Sequence, residues 1–254
     1  MGTKWPKGLD LGAHFADYGM IVARSDPTAL KHKGLTYFYV DMKTPGIEAK
    51  PIKQISGSAN FNEVFFNDVR IPDSQRIGAE GDGWKVSLTT LMNERLAVGD
   101  PPGLDFDQIF EASKEIEVED GLAVKNSEVR QKMADWYIQS RGLQYTKYRS
   151  MTALSKGQTP GPELSISKLV TASKMQDVSS YALDLMDMSG MVHQDKNPIL
   201  KNLFQNGYFF SAAMRIAGGT DEVLRNIIAE RVLGLPQDER SDKKLPFNEL
   251  PSGK

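Results

Sequence analysis

The chain has 254 residues, is 40% hydrophobic and 25% charged, and carries a formal net charge of −2. That composition describes a soluble globular protein of one or two domains without a global basic field for nucleic acid. Cysteine is absent and histidine is limited to three residues, His14, His32 and His193, far apart in sequence. Disulfides, thiolate metal sites and thiol catalysis are excluded, a zinc site is not expected, and a reducing cytoplasm fits. No apolar run approaches the roughly 20 residues of a membrane-spanning helix, and the first residues lack the continuous apolar core of a signal peptide.

In chain order, residues 17–72 read as strands. Tyr18–Arg24 and Gly34–Val40 are rich in β-branched and aromatic residues and flank a polar loop containing Asp26-Pro27. Thr44-Pro45-Gly46 is a turn signal, and the strand pattern continues in Ile47–Ile52 and Phe61–Phe66. After Gly83 the period changes. Trp84, Leu88, Leu91, Met92 and Val98 fall on about one third of a helical wheel, so a helix with one apolar stripe is expected. Helices are predicted near 105–117, 127–156, 163–189, 198–213 and 220–232. Residues 157–162 break two of them, and Gly234-Leu235-Pro236 ends the last. Residues 237–254 read as an exposed polar tail. The expected architecture is α+β: a partial antiparallel β domain (1–80), a C-terminal helical bundle (81–236) and the tail (237–254).

The segment Arg215-Ile216-Ala217-Gly218-Gly219-Thr220-Asp221-Glu222-Val223-Leu224-Arg225-Asn226-Ile227-Ile228-Ala229-Glu230-Arg231-Val232-Leu233-Gly234 resembles the C-terminal signature of the acyl-CoA dehydrogenases. The resemblance extends to His14-Phe15-Ala16-Asp17-Tyr18-Gly19, Thr44-Pro45-Gly46, Phe61–Pro72 and Gly78-Ala79-Glu80-Gly81-Asp82-Gly83-Trp84. Arg130–Asp135 and Gly161–Leu169 are similar to one bacterial branch. It implies an acyl-CoA dehydrogenase-like C-terminal helical bundle. The activity implied is α,β-desaturation of an acyl-CoA, in which a carboxylate removes the α-proton and FAD accepts the β-hydride. Electron-transferring flavoprotein is the implied acceptor, in a homo- or hetero-oligomer. The alternative is a truncated or non-catalytic structural subunit. The family's N-terminal helical domain and the first half of its β domain have no counterpart here. Nor has its Arg-x-x-Phe-Gly motif: residues 106–117 contain no arginine.

In the family the base often stands immediately before the Gly-Thr pair, where this chain has Gly218. Some members instead place a Glu before the arginine of the first bundle helix, and Leu91-Met92-Asn93-Glu94-Arg95-Leu96 matches that pattern. Glu94 reads either as the base or as a solvated helix residue. Arg95 falls near the centre of the apolar stripe, as a structural ion pair or as the group that orients the carboxylate. Thr220 and Glu222 read as a helix cap with acidic first turn, or, by resemblance, as flavin contacts. Trp5 resembles a family residue lying against the flavin ring, and equally suits simple packing. Tyr181, Leu185, Met186 and Met188 form an apolar cluster that suits either subunit association or the core.

Overall fold

The computed structural model describes residues 4–97, 104–158, 164–192, 199–239 and 241–250, with side chains of 4–11, 92–97, 164, 199–201, 241 and 243 left out. Two compact units emerge: residues 1–99 with 238–254, and residues 100–237.

The first unit holds two small antiparallel sheets. In one, β1 (Lys4–Leu11) and β4 (Ile47–Ile52) flank β5 (Phe61–Asn67). In the other, β2 (Tyr18–Arg24) pairs with β3 (Leu35–Asp41), which pairs with the short β6 (Arg76–Ile77). β1 lies outside the expected strand region. Pro6 and Gly8 hide it from a strand pattern, and the pairing absorbs them in a register shift between Trp5 and Gly8. Helix α1 (Gly83–Ala97) packs on β3. A Cβ on Gly83 would sit 2.7 Å from the Leu35 carbonyl and the Thr36 nitrogen, so glycine is what lets the helix start against the strand.

Two expectations are corrected here. Trp84, Leu88 and Leu91 are exposed, and among the described side chains of α1 the residues turned inward are Gly83, Val86, Ser87 and Thr90. Trp84 stacks on His32 with ring centroids 4.1 Å apart; Val98 and the side chain of Met92 lie outside the described residues. Residues 238–250 return to the first unit instead of trailing free. Leu30 bridges to Pro246, the Phe247 and Asn248 amides donate to the Ala29 and Pro27 carbonyls, and the Arg24 guanidinium lies 3.9 Å from the Phe247 ring centroid.

The second unit is helical. Its elements are α2 (Phe106–Ser113), a minimal hairpin of β7 (Glu117–Val118) and β8 (Gly121–Leu122), α3 (Ser127–Ser155), α4 (Leu164–Leu185), α5 (Met188–Met191), α6 (Ile199–Ile216) and α7 (Asp221–Ile227), followed by a π-helical turn, Ile228–Val232. Asn126 caps α3 by accepting from the Glu128 and Val129 amides, and Thr220 caps α7 by accepting from Val223. Helical spacing sets the core. Val129, Met133 and Trp136 of α3 meet Met175, Val178 and Ala182 of α4 and Phe204 of α6. Trp136 donates to Asp177 at 2.8 Å and meets Tyr181 edge-on. Tyr181, Leu185 and Met186 pack on this core, whereas Met188 is 66% exposed.

Candidate functional site

The signature segment folds as the end of α6, a glycine turn, and α7. Gly218 and Gly219 have φ of +65° and +105°, a backbone that glycine adopts without strain. A Cβ on Gly218 would meet nothing within 4 Å, and one on Gly219 only Leu224. Thr220 then enters α7 and its Oγ1 accepts from the Val223 amide at 3.3 Å.

Charged groups from three helices anchor this turn. Asp221 is 4% exposed. Arg215 of α6 donates Nε to its Oδ2 at 2.6 Å and Nη1 to Gln176 of α4 at 2.7 Å. Lys168 of α4 donates to the Gly219 carbonyl at 2.6 Å and lies 3.9 Å from Asp221 Oδ1. The acidic pair at the start of α7 is therefore two different things. Asp221 is neutralised in the structure. Glu222 is exposed, and its own amide and the Thr220 hydroxyl hold its carboxyl below the ordinary value. Arg215 opens the signature segment, whereas Lys168 and Gln176 did not stand out in sequence as part of this site. Lys168 lies in the Ser165-Ile166-Ser167-Lys168-Leu169 match, which was the one signal for it.

A second buried polar cluster ties the bundle together. Lys174 of α4 is 2% exposed at its side chain. It donates to Asp105 at 2.7 Å and to Ser140 of α3 at 2.8 Å, and Ser140 also donates to Asp105. Asp105 is the cap of α2, in a reciprocal box with Gln108. Burial pushes the Asp105 carboxyl up, but the bonds from Lys174, Ser140 and the Phe106 amide outweigh it and bring the group below its ordinary value.

Thr220 and Glu222 are thus brought together. Glu94 and Arg95 lie in the backbone of α1, and Trp5 in β1 opposite Phe66. Those three residues belong to the first unit, Thr220 and Glu222 to the second. The side chains of Trp5, Glu94 and Arg95, and the whole of His193, lie outside the described residues. Among the described residues no group of three metal-ligating side chains occurs.

The family model for the acyl-CoA dehydrogenase C-terminal domain matches residues 81–233. The chain belongs to the acyl-CoA dehydrogenase family. It is 34% identical over 227 residues to acyl-CoA dehydrogenase FadE34 of Mycobacterium tuberculosis, which covers 89% of this chain and 30% of that protein. It is 34% identical over 230 residues to acyl-CoA dehydrogenase IpdE1 of Mycolicibacterium smegmatis, covering 89% of this chain and 55% of the relative. The chain therefore spans about half or less of these relatives. The same fold occurs in the solved Tcur3481-Tcur3483 steroid ACAD, at a TM-score of 0.77 and 23% identity over 91% of this chain and 61% of that one.

Membership of this family raises the fit of these residues to FAD. The open backbone of Gly218 and Gly219, beside the Thr220 hydroxyl, admits the close approach of a flat group. This suits one edge of a flavin. The same turn is a poor seat for a diphosphate. Glu222 stays ionised there, and the neighbouring cations Lys168 and Arg215 are committed to the Gly219 carbonyl, Asp221 and Gln176.

Proposed function

We propose that the chain serves α,β-desaturation of an acyl-CoA thioester, with Glu94 as the base that takes the α-proton. The observation that carries the reading is the open glycine turn capped by Thr220, within a family match that starts at residue 81 and runs to 233. Thr220 and Glu222 would hold the flavin edge, with Trp5 against the ring. FAD, when bound, supplies the hydride acceptor.

The thioester α-proton is weakly acidic, so its base must be close and shielded from water. Burial raises a carboxyl's proton affinity and makes it a better base. In α1, position 94 follows Thr90 by one helical turn, and Thr90 receives the Tyr37 hydroxyl at 3.5 Å. By the resemblance, Arg95 orients the Glu94 carboxylate or pairs with it. The proposed partners are an acyl-CoA, electron-transferring flavoprotein as electron acceptor, and further subunits, in the cytoplasm.

Dye reduction by a saturated acyl-CoA at saturating FAD tests the reading. Glu94→Gln should lower turnover by roughly 10²–10⁴-fold, the usual contribution of a general base. Unchanged turnover in that variant removes Glu94 from the mechanism. Gly218, standing where many members have the base, favours a second reading: a non-catalytic structural subunit. Absence of any turnover at saturating FAD would select it.

A further inference from the structure

We propose that residues 242–248 form a strap that holds the β2–β3 loop, residues 25–34, in a strained conformation, and that the seated loop in turn fixes the start of α1. The strain lies at Lys31, a non-glycine residue with φ of +39°. A side chain disfavours that left-handed backbone, which persists where surrounding contacts impose it. The strap supplies contacts on both sides of Lys31. Leu30 bridges to Pro246, the Phe247 amide donates to the Ala29 carbonyl at 3.2 Å, and the Asn248 amide donates to the Pro27 carbonyl at 3.1 Å. Lys31 itself places Nζ 3.5 Å from Asp242 Oδ2.

The strap also covers a cation at the foot of the loop. Arg24 Nη1 is buried and has no hydrogen-bond partner among the described residues. The guanidinium lies over the Phe247 ring, an attraction that grows as the cation is desolvated. None of these contacts is strong alone. Phe247 is 45% exposed and the Asp242 side chain 40%, and exposed ring and ion-pair contacts each contribute little. Several weak contacts together seat the strap, so it opens locally while the sheets stay folded.

Past Lys31 the loop leads to α1. The His32 ring stacks on Trp84 with the planes 10° apart. The Lys33 amide donates to the Leu30 carbonyl at 2.8 Å, and a Cβ on Gly81 would lie 2.7 Å from the Lys33 carbonyl. Leu35 bridges to Asp82, whose carbonyl accepts from the Val86 amide in the first turn of α1. Releasing the strap removes the restraint on Lys31, and the relaxing loop withdraws His32 and Lys33 from residues 81–84. α1 also carries Glu94, so a consequence for the base rests on the function proposed above, whereas the strap itself does not.

Hydrogen–deuterium exchange of the full chain, read by mass spectrometry, tests the strap without any catalytic readout. In Asp242→Ala/Phe247→Ala, exchange of residues 27–34 should accelerate on the order of tenfold. Residues 81–86 should accelerate to a smaller extent, and residues 47–52 in the other sheet should not change. Asn248→Pro deletes one strap amide at an exposed position. It should accelerate the same segments more weakly, and it keeps the test valid if the double variant folds poorly. The chain has no cysteine, and antiparallel partners have Cα atoms about 4.5–5.5 Å apart, within disulfide reach. Oxidising a Leu30→Cys/Pro246→Cys pair built into either variant should restore slow exchange in both segments. Unchanged exchange of residues 27–34 in the unlocked variants overturns the proposal. So does equal acceleration of residues 47–52, which marks general destabilisation, and acceleration confined to residues 27–34 overturns the coupling to α1.

Discussion

Asp105 shows how a single residue can couple helix formation to the core. It caps α2 and accepts from Lys174, whose side chain is 2% exposed, and from Ser140. Removing one partner of a buried ion pair costs roughly 3–5 kcal/mol. The Asp105 side chain is 42% exposed, so about 2–3 kcal/mol is expected for Asp105→Ala after discounting for solvent screening. The pH dependence has a definite sign. Because the carboxyl is held below its ordinary value, its stabilisation is complete above the unfolded value of about 3.9 and is lost as pH falls through the folded value. Urea denaturation should therefore show Asp105→Asn weakening the protein near neutral pH. The difference from wild type should shrink below about pH 4. A difference that grows on acidification would contradict this assignment. Residues 105, 140 and 174 are far apart in the sequence, and each alone reads as an ordinary polar residue, which is why the cluster was not legible there.

At the scale of elements, local signals were legible where they are chemical. The Thr220 cap and the glycines and prolines near 157–162 and 234–236 placed the helices close to where they form. β1 was not legible, because pairing with β5 and a bulge override Pro6 and Gly8. The inward face of α1 was misplaced for a related reason. Apolar spacing pointed to Trp84, Leu88 and Leu91, but the packing on β3 needs small residues, with Gly83 at the closest approach. The same logic governs α6. A Cβ on Gly207 would lie 2.0 Å from Leu104 Cδ1 and 2.6 Å from Ser179 Oγ. Gly207→Ala gains about 1 kcal/mol of helix propensity, against overpacking of roughly 1–3 kcal/mol. A net loss of about 1 kcal/mol is the expected outcome of thermal or urea denaturation. A more stable variant would show that Leu104 yields freely.

At the scale of the molecule, the family was legible from motifs dispersed along the chain, and the match over residues 81–233 agrees with them. The apolar cluster on α4 and α5 divides. Tyr181, Leu185 and Met186 serve the core, and Met188 stays exposed. The Gly218–Glu222 turn was only partly legible, because its anchoring contacts join α4, α6 and α7 through Lys168, Arg215 and Asp221. The central claim is that this chain supplies the base and one flavin edge of an acyl-CoA dehydrogenase, without a diphosphate seat at the Gly218–Glu222 turn. Hydrogen bonds to charged groups contribute roughly 1.5–3 kcal/mol each. Lacking two or three of them weakens binding by several powers of ten, at about 1.4 kcal/mol per tenfold. Equilibrium titration of FAD into the purified chain, followed by flavin absorbance and fluorescence, is the most direct measurement. The account predicts weak binding that is lost on gel filtration. A chain that purifies yellow, with nearly one FAD per subunit retained through gel filtration, would contradict it.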